Sequence, residues 1–228
     1  MNQDDAKKIV ESVKDVYNKV ATPFVASRAR DWSEFEIIAP HIHSGIKLLD
    51  AGCAHGRLVP TFLKHDLKKE NYIGIDISEN LIKKAREMFP DMHFDIGDVC
   101  NLPYKDSVFD AVVSSAVLHH IPSQELRIQM IQELVRVTKP NGKIIFLVWN
   151  AFHFPHLWKN IFLSYIKSSI SLGDKEPGDM YLPFFGKENV RYVHAFTKNS
   201  LTHLFKKALS KKVLIKNTGK NFFILFEK

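Results

Sequence analysis

Residues 47–57 read KLLDAGCAHGR and residues 72–78 read YIGIDIS. The first is a short apolar run ending in Asp50 that enters a turn containing Gly52 and Gly56. The second is another apolar run, ending in Asp76. Two such runs, laid side by side as parallel strands, put a carboxylate at each carboxyl end. An α/β protein builds a nucleoside pocket in this way.

Strand and helix patterns alternate outward from this pair. Strands are expected at 46–50, 72–77, 93–96, 109–115 and 143–149. Helices are expected at 58–65, at 79–89 behind a Ser78 cap and stopped by Pro90, and at 124–138 before the turn Pro140-Asn141-Gly142. Ahead of them, Ile9, Val13, Val16, Tyr17 and Val20 have helical spacing, and a second helical segment is expected at 32–39, ended by Pro40. The alternation breaks after Asn150. An aromatic-rich helical stretch (154–170), a Gly/Pro/Asp-rich stretch (173–178) and an apolar cluster (181–185) read as an insertion, followed by a helix at 199–209 and a closing antiparallel pair at 213–216 and 222–227. The expected fold is α/β: a doubly wound, seven-stranded, mostly parallel sheet with an antiparallel last strand and a helical and loop insertion after strand 5. One domain is expected, with an N-terminal helical segment (1–40), a nucleoside-binding core (41–150), a substrate-side insertion (151–198) and the last helix with closing strands (199–228).

Composition narrows the class. The 228 residues are 45% hydrophobic, enough for a core, and no apolar run is long enough to span a bilayer. The first residues are charged and amphipathic rather than a secretory leader, and two cysteines, Cys53 and Cys100, make neither a disulfide framework nor a zinc motif. A cytoplasmic enzyme with no metal and no membrane association is expected. The net charge of +7 is unevenly placed: residues 151–228 hold 13 Lys and Arg against 5 Asp and Glu, while the first 150 hold 19 against 20. Such a basic third is either a solvated face or an attraction to a polyanion.

The turn departs from a dinucleotide site. GxGxxG is absent, and Asp50 would repel a pyrophosphate but suits a ligand with positive charge, such as an ammonium beside a sulfonium. Asp76 can accept both ribose hydroxyls and Asp98 the adenine amine. Each aspartate alone could be a helix cap or turn former. As a set with Gly52 and Gly56 they resemble the class I S-adenosylmethionine-dependent methyltransferases, through LLDAGCAHG, IGID, DIGDVCNLP, FDAVVSSAVLHHI and LVRVTKPNGKIIF. That resemblance implies S-adenosyl-L-methionine as cofactor and Asp50, Ala51, Gly52, Cys53, Gly56, Asp76, Ile77, Gly97, Asp98, Val99, Ser115 and Ala116 as cofactor-binding. Ala54 departs from it, standing where glycine is usual; a methyl group is tolerable there if φ stays negative and could otherwise crowd the methionine moiety.

A narrower resemblance runs outside the core. DVYNKVATPFVASRARDW (15–32), DMYLPF (179–184) and RYVHAF (191–196) are similar to signatures of the tRNA wobble-uridine methyltransferases that esterify a carboxymethyl group on the base. The matched residues are Tyr17, Arg28, Trp32, His119, His120, Trp149, Pro183, Arg191 and His194, with Phe184 where that family has tryptophan. The resemblance implies tRNA as substrate and allows a small activator subunit, as in eukaryotic members. Its catalytic candidates are Arg28, His119, His120 and Arg191, one of the two histidines touching the acceptor or both merely capping and packing. A carboxymethyl acceptor arrives ionised, so a cation to grip it matters more than a base; Arg28, Arg30 and Arg191 are candidates. Residues 181–185 could stack an unpaired base, and Lys187, Arg191, Lys198, Lys206, Lys207, Lys211 and Lys212 could follow phosphates. A metabolite methyltransferase of the same fold, or a scaffold that kept the fold without activity, remain the alternatives.

Overall fold

The computed structural model describes residues 1–28, 33–170 and 176–228; Arg30 and Trp32 lie outside them. The strands of the main sheet are β1 (Leu48–Ala51), β2 (Tyr72–Asp76), β3 (His93–Ile96), β4 (Phe109–Ser115), β5 (Thr138–Trp149), β8 (Leu214–Asn217) and β9 (Asn221–Glu227), in the order β3-β2-β1-β4-β5-β9-β8. All pairings are parallel from β3 to β5, and β9 runs antiparallel to both β5 and β8. The seven-stranded sheet and its reversed last strand match the sequence expectation.

Both faces of the sheet are covered, so its central strands are apolar on both sides. On β4 and β5, Val112, Ile144, Phe146 and Val148 face one core, shared with α5 (Gln124–Val137) and α7 (Lys198–Leu209). Ala111, Val113, Ile145 and Leu147 face the other, shared with Val59 and Phe62 of α3 (Val59–Lys64) and Ile82 and Ala85 of α4 (Glu79–Met88). This is period-two alternation between two buried faces, hidden in the sequence as one continuous apolar run. Ser78 caps α4 as expected, its hydroxyl accepting from Leu81 N at 3.3 Å.

Four elements differ from the sequence reading; the helical segment expected at 32–39 is two short 3-10 turns, Ser33–Ile37 and Ala39–His41. The helical spacing from Ile9 to Val20 is α1 (Gln3–Lys19), and a second helix that the sequence reading leaves unassigned, α2 (Ala21–Ser27), follows it. Pro23 explains the second start, because its missing N–H is tolerated only in a first turn. The Pro140-Asn141-Gly142 turn lies within β5 rather than before it; Asn141 has φ 62 and the β4–β5 register slips between Phe109 and Ala111, as at a bulge. The insertion holds a hairpin, β6 (Asp179–Pro183) with β7 (Val190–His194), in a sheet of its own, beside α6 (Trp158–Ile170).

Candidate active site

The strand order reverses at β1 and β4, and there the carboxyl ends of β1, β2, β4 and β5 open onto a cavity of about 330 Å³. It is roofed by Val10, Val13 and Tyr17 of α1 and by Phe24 and Arg28 at α2. The cavity brings together Asp50, Gly52, Cys53, Asp76, Ile77, Gly97, Asp98, Val99, Ser115 and Ala116, and also Arg28, His119, His120 and Arg191. Ala51 and Gly56 do not line it. Ala51 is buried inside β1, and a side chain on Gly56 (φ 76) would meet the rings of Phe89 and Phe94 at about 3 Å, so both shape the turn from behind.

Gly52 is required sterically. Its φ is 84, and a Cβ there would stand 2.1 Å from Val117 Cγ2. The chain then turns through Ala54, whose φ of 52 is left-handed, so the condition under which its methyl group would be tolerated without strain, a negative φ, is not met. What holds it there is a hydrogen bond, Ala54 N–H to Asp76 Oδ2 at 2.9 Å.

The three aspartates are each part-satisfied. Asp76 accepts Ala54 N–H on one oxygen and Ser78 N–H on the other, both at 2.9 Å, leaving further lone pairs toward the cavity. Asp98 accepts from Cys100 N at 2.8 Å. Asp50 is buried; its Oδ2 accepts from the Tyr72 hydroxyl at 2.9 Å and its Oδ1 has no partner among the described residues. Burial raises the Asp50 pKa to about 7, against the Tyr72 hydrogen bond and with help from the nearby Asp76 charge. An orphaned carboxylate oxygen buried in a ligand-sized cavity is suited to a cation, which would return the group to its ionised form. These donors and acceptors fit a nucleoside carrying a positive centre.

The opposite wall is basic and aromatic. Arg191 stacks on the Phe184 ring at 3.8 Å and donates to the Tyr17 hydroxyl at 2.8 Å. Arg28 lies over Phe24 at 5.5 Å, and burial together with the Arg191 charge lowers its pKa. Neither arginine forms an ion pair with a carboxylate among the described residues, and the Nε of each is unpartnered. His119 and His120 lie ring against ring at 4.3 Å, with Trp149 beyond His119 at 5.7 Å. Burial keeps both neutral; His120 is lowered to about 3, and His119 well below its usual value. The pair separates by its contacts: His120 uses both ring nitrogens within the protein, while His119 Nδ1 has no partner among the described residues.

Several matched residues lie elsewhere. His194 is buried with Asp179, 2.7 Å from it, in a network with Arg127, Glu176 and Tyr192. Phe184 is buried under Arg191, and on the hairpin Tyr181 and Phe185 are the exposed rings. Among the basic candidates, Lys207 bonds Gln124 and Lys211 the Glu227 carbonyl, while Lys187, Lys198, Lys206 and Lys212 are exposed. Residues not expected in the wall include Arg57, which faces the cavity and stacks over Phe35 at 5.1 Å, and Val10 and Val13. Arg57 stood in the opening motif; nothing in its neighbours marked its side chain as facing inward.

Comparison with known proteins agrees with this geometry. Residues 49–146 match the family model described as a methyltransferase domain. A tRNA (carboxymethyluridine(34)-5-O)-methyltransferase of Arabidopsis thaliana is 32% identical over 82% of this chain and 46% of that protein. One of Schizosaccharomyces pombe is 29% identical over 81% of this chain and 72% of that protein. The chain thus spans less than half the length of the plant relative. A solved S-adenosylmethionine-dependent methyltransferase from Methanosarcina mazei shares the fold, with a TM-score of 0.69 and 21% identity over 84% of this chain and 96% of that one. Residues 49–146 match a methyltransferase domain, in a chain similar to the tRNA carboxymethyluridine methyltransferases and with the fold of a solved S-adenosylmethionine-dependent methyltransferase.

Proposed function

We propose that this chain transfers a methyl group to the carboxylate of a carboxymethyl-modified wobble uridine in tRNA, giving the methyl ester. The observation that carries the reading is Arg191, with Arg28 beside it, lining the cavity with no carboxylate partner among the described residues. Two guanidinium groups left together in a part-buried wall call for an anion, and an arginine grips a carboxylate with directed, charge-assisted hydrogen bonds. The names carried by the plant and yeast relatives agree.

S-adenosylmethionine, when bound, supplies a methyl group already activated on a sulfonium. Asp76 would hold its ribose, Asp98 its adenine, and Asp50 its ammonium side. Arg28 and Arg191 hold the acceptor carboxylate, and Trp149 and His119 exclude water around it. No residue has to remove a proton, because a carboxylic acid with a pKa of about 4 is ionised at neutral pH. Alignment is then the main contribution, and a near-attack geometry supplies several kcal/mol, roughly. The open Nδ1 of His119 makes it the histidine that touches the acceptor.

The exposed rings of Tyr181 and Phe185 are on the hairpin that carries Arg191, where an unpaired base could stack. The excess of lysine over residues 151–228 would follow the phosphates of the anticodon stem. No helix among the described residues is long and apolar enough to cross a membrane, and both cysteines are free and buried, consistent with work in the cytoplasm. Trp158, Phe162, Ile166 and Ile170 form an exposed apolar stripe on α6, a surface an activator subunit would cover. Nucleoside mass spectrometry of tRNA from cells with and without this chain tests the reading. The unesterified carboxymethyl nucleoside should accumulate in its absence; an unchanged profile contradicts it.

A further inference from the structure

Tyr17 and His120 belong to opposite parts of the fold, yet their polar atoms meet at 2.9 Å and fix one another's protons. A carbonyl oxygen can only accept, so the 2.9 Å contact between His120 Nδ1 and the Tyr192 carbonyl requires the hydrogen on Nδ1. In the neutral ring Nε2 is then a lone pair, and the Tyr17 hydroxyl donates to it. The Tyr17 oxygen, its hydrogen committed, accepts from Arg191 Nη1 at 2.8 Å. This arrangement satisfies all three contacts. Protonating the ring would turn Nε2 into a donor, but burial and the Arg191 charge keep it neutral, with a pKa of about 3.

The surroundings hold each member still. The Tyr17 ring lies edge-on to Phe24 and His120, and Phe184 packs beside it and under Arg191. Next to Arg191, the Tyr192 hydroxyl is gripped by Arg127 Nη2 at 2.9 Å and Asp179 Oδ1 at 2.5 Å, so the carbonyl that sets the His120 tautomer is itself anchored. His120 has no nitrogen left for a substrate.

We propose that Tyr17 is the positioning residue for Arg191: with its hydrogen committed to His120, the hydroxyl holds the guanidinium so that its remaining N–H groups face an acceptor carboxylate. His120 acts through Tyr17 and is not a catalytic residue. The inference deepens the carboxylate-acceptor reading and rests on it for the acceptor's identity, though not for the tautomer.

Long-range proton–nitrogen NMR of His120, in the full chain and in Tyr17→Phe, tests the tautomer without any substrate. The expected result is a neutral Nδ1–H ring from pH 5 to 8, with the Nε2 resonance shifting toward a non-hydrogen-bonded nitrogen in Tyr17→Phe, which keeps the ring packing. Steady-state kinetics with carboxymethylated tRNA form the second arm. Tyr17→Phe should raise the acceptor KM about tenfold while kcat stays within about twofold and donor affinity, by calorimetry, is unchanged. An Nε2–H tautomer, or an unchanged acceptor KM beside a raised one for Arg191→Ala, overturns the proposal. If the wild-type chain does not turn over that tRNA, the substrate reading fails, and the tautomer and its response to Tyr17→Phe decide the positioning role alone.

Discussion

The backbone N–H of Ala54 reaches Asp76 Oδ2 at 2.9 Å from a left-handed conformation, φ 52. A side chain in that region costs roughly 1–2 kcal/mol relative to ordinary backbone, and glycine escapes most of it. Ala54→Gly should therefore stabilise the chain by about 1 kcal/mol, less the extra entropy of an unfolded glycine. Urea unfolding measures it. A loss of stability would show that the packing of the Ala54 methyl group outweighs its backbone strain.

Asp50 gives the donor site a pH dependence of definite sign. Burial lifts its pKa from 3.8 to about 7, so the folded state keeps a proton that the unfolded chain gives up. Its stability contribution is whole below about pH 4 and is lost as pH rises through about 7. A cation at the open Oδ1 favours the ionised form, so donor affinity should rise with pH toward a plateau above about 7. Binding near pH 6.5 should release a proton, read by calorimetry in buffers of different ionisation enthalpy. Asp50→Asn should abolish the release; an unaltered proton count would place the cation elsewhere.

Arg191→Ala removes a charged hydrogen-bond donor from the wall proposed to hold the acceptor. Hydrogen bonds to charged groups contribute about 1.5–3 kcal/mol, so kcat/KM for carboxymethylated tRNA should fall roughly 10- to 100-fold. Arg28→Ala should act in the same direction. Donor affinity should change little in either variant, since the aspartates proposed to hold the donor are untouched. Equal losses of donor and acceptor binding would indicate damage to the fold instead.

The basic residues of the last third predict a steep salt response. Binding of tRNA should weaken at least tenfold between low and moderate salt, as counterions released on binding are re-bound. Filter binding or fluorescence titration reads the slope. Absence of tRNA retention even at low salt would favour a small-molecule acceptor.

Much of this architecture could be read from sequence because its signals are local. Asp50, Gly52 and Asp76 sit where a strand ends and a turn must open, and both the strand run and the glycine report that directly. The β6–β7 hairpin escaped because its alternation is brief: Met180 and Leu182 are buried between exposed Tyr181 and Pro183, and the apolar Phe184-Phe185 pair that follows obscures the period. The left-handed Ala54 was not legible, since alanine carries no signal for positive φ and the cause is a tertiary hydrogen bond to Asp76. His119 and His120 are adjacent and chemically identical in the sequence. Only the carbonyl of Tyr192 and the hydroxyl of Tyr17, 72 and 103 positions away, tell them apart.

Incubating the purified chain with S-adenosylmethionine and carboxymethylated tRNA, then resolving the nucleosides by mass spectrometry before and after mild alkali, tests the esterification most directly. The expected product is a carboxymethyl nucleoside heavier by one methylene unit that alkali returns to the free acid. An alkali-stable methyl group on the base or ribose, or no transfer to the carboxylate in the presence of a demonstrably bound donor, would contradict it.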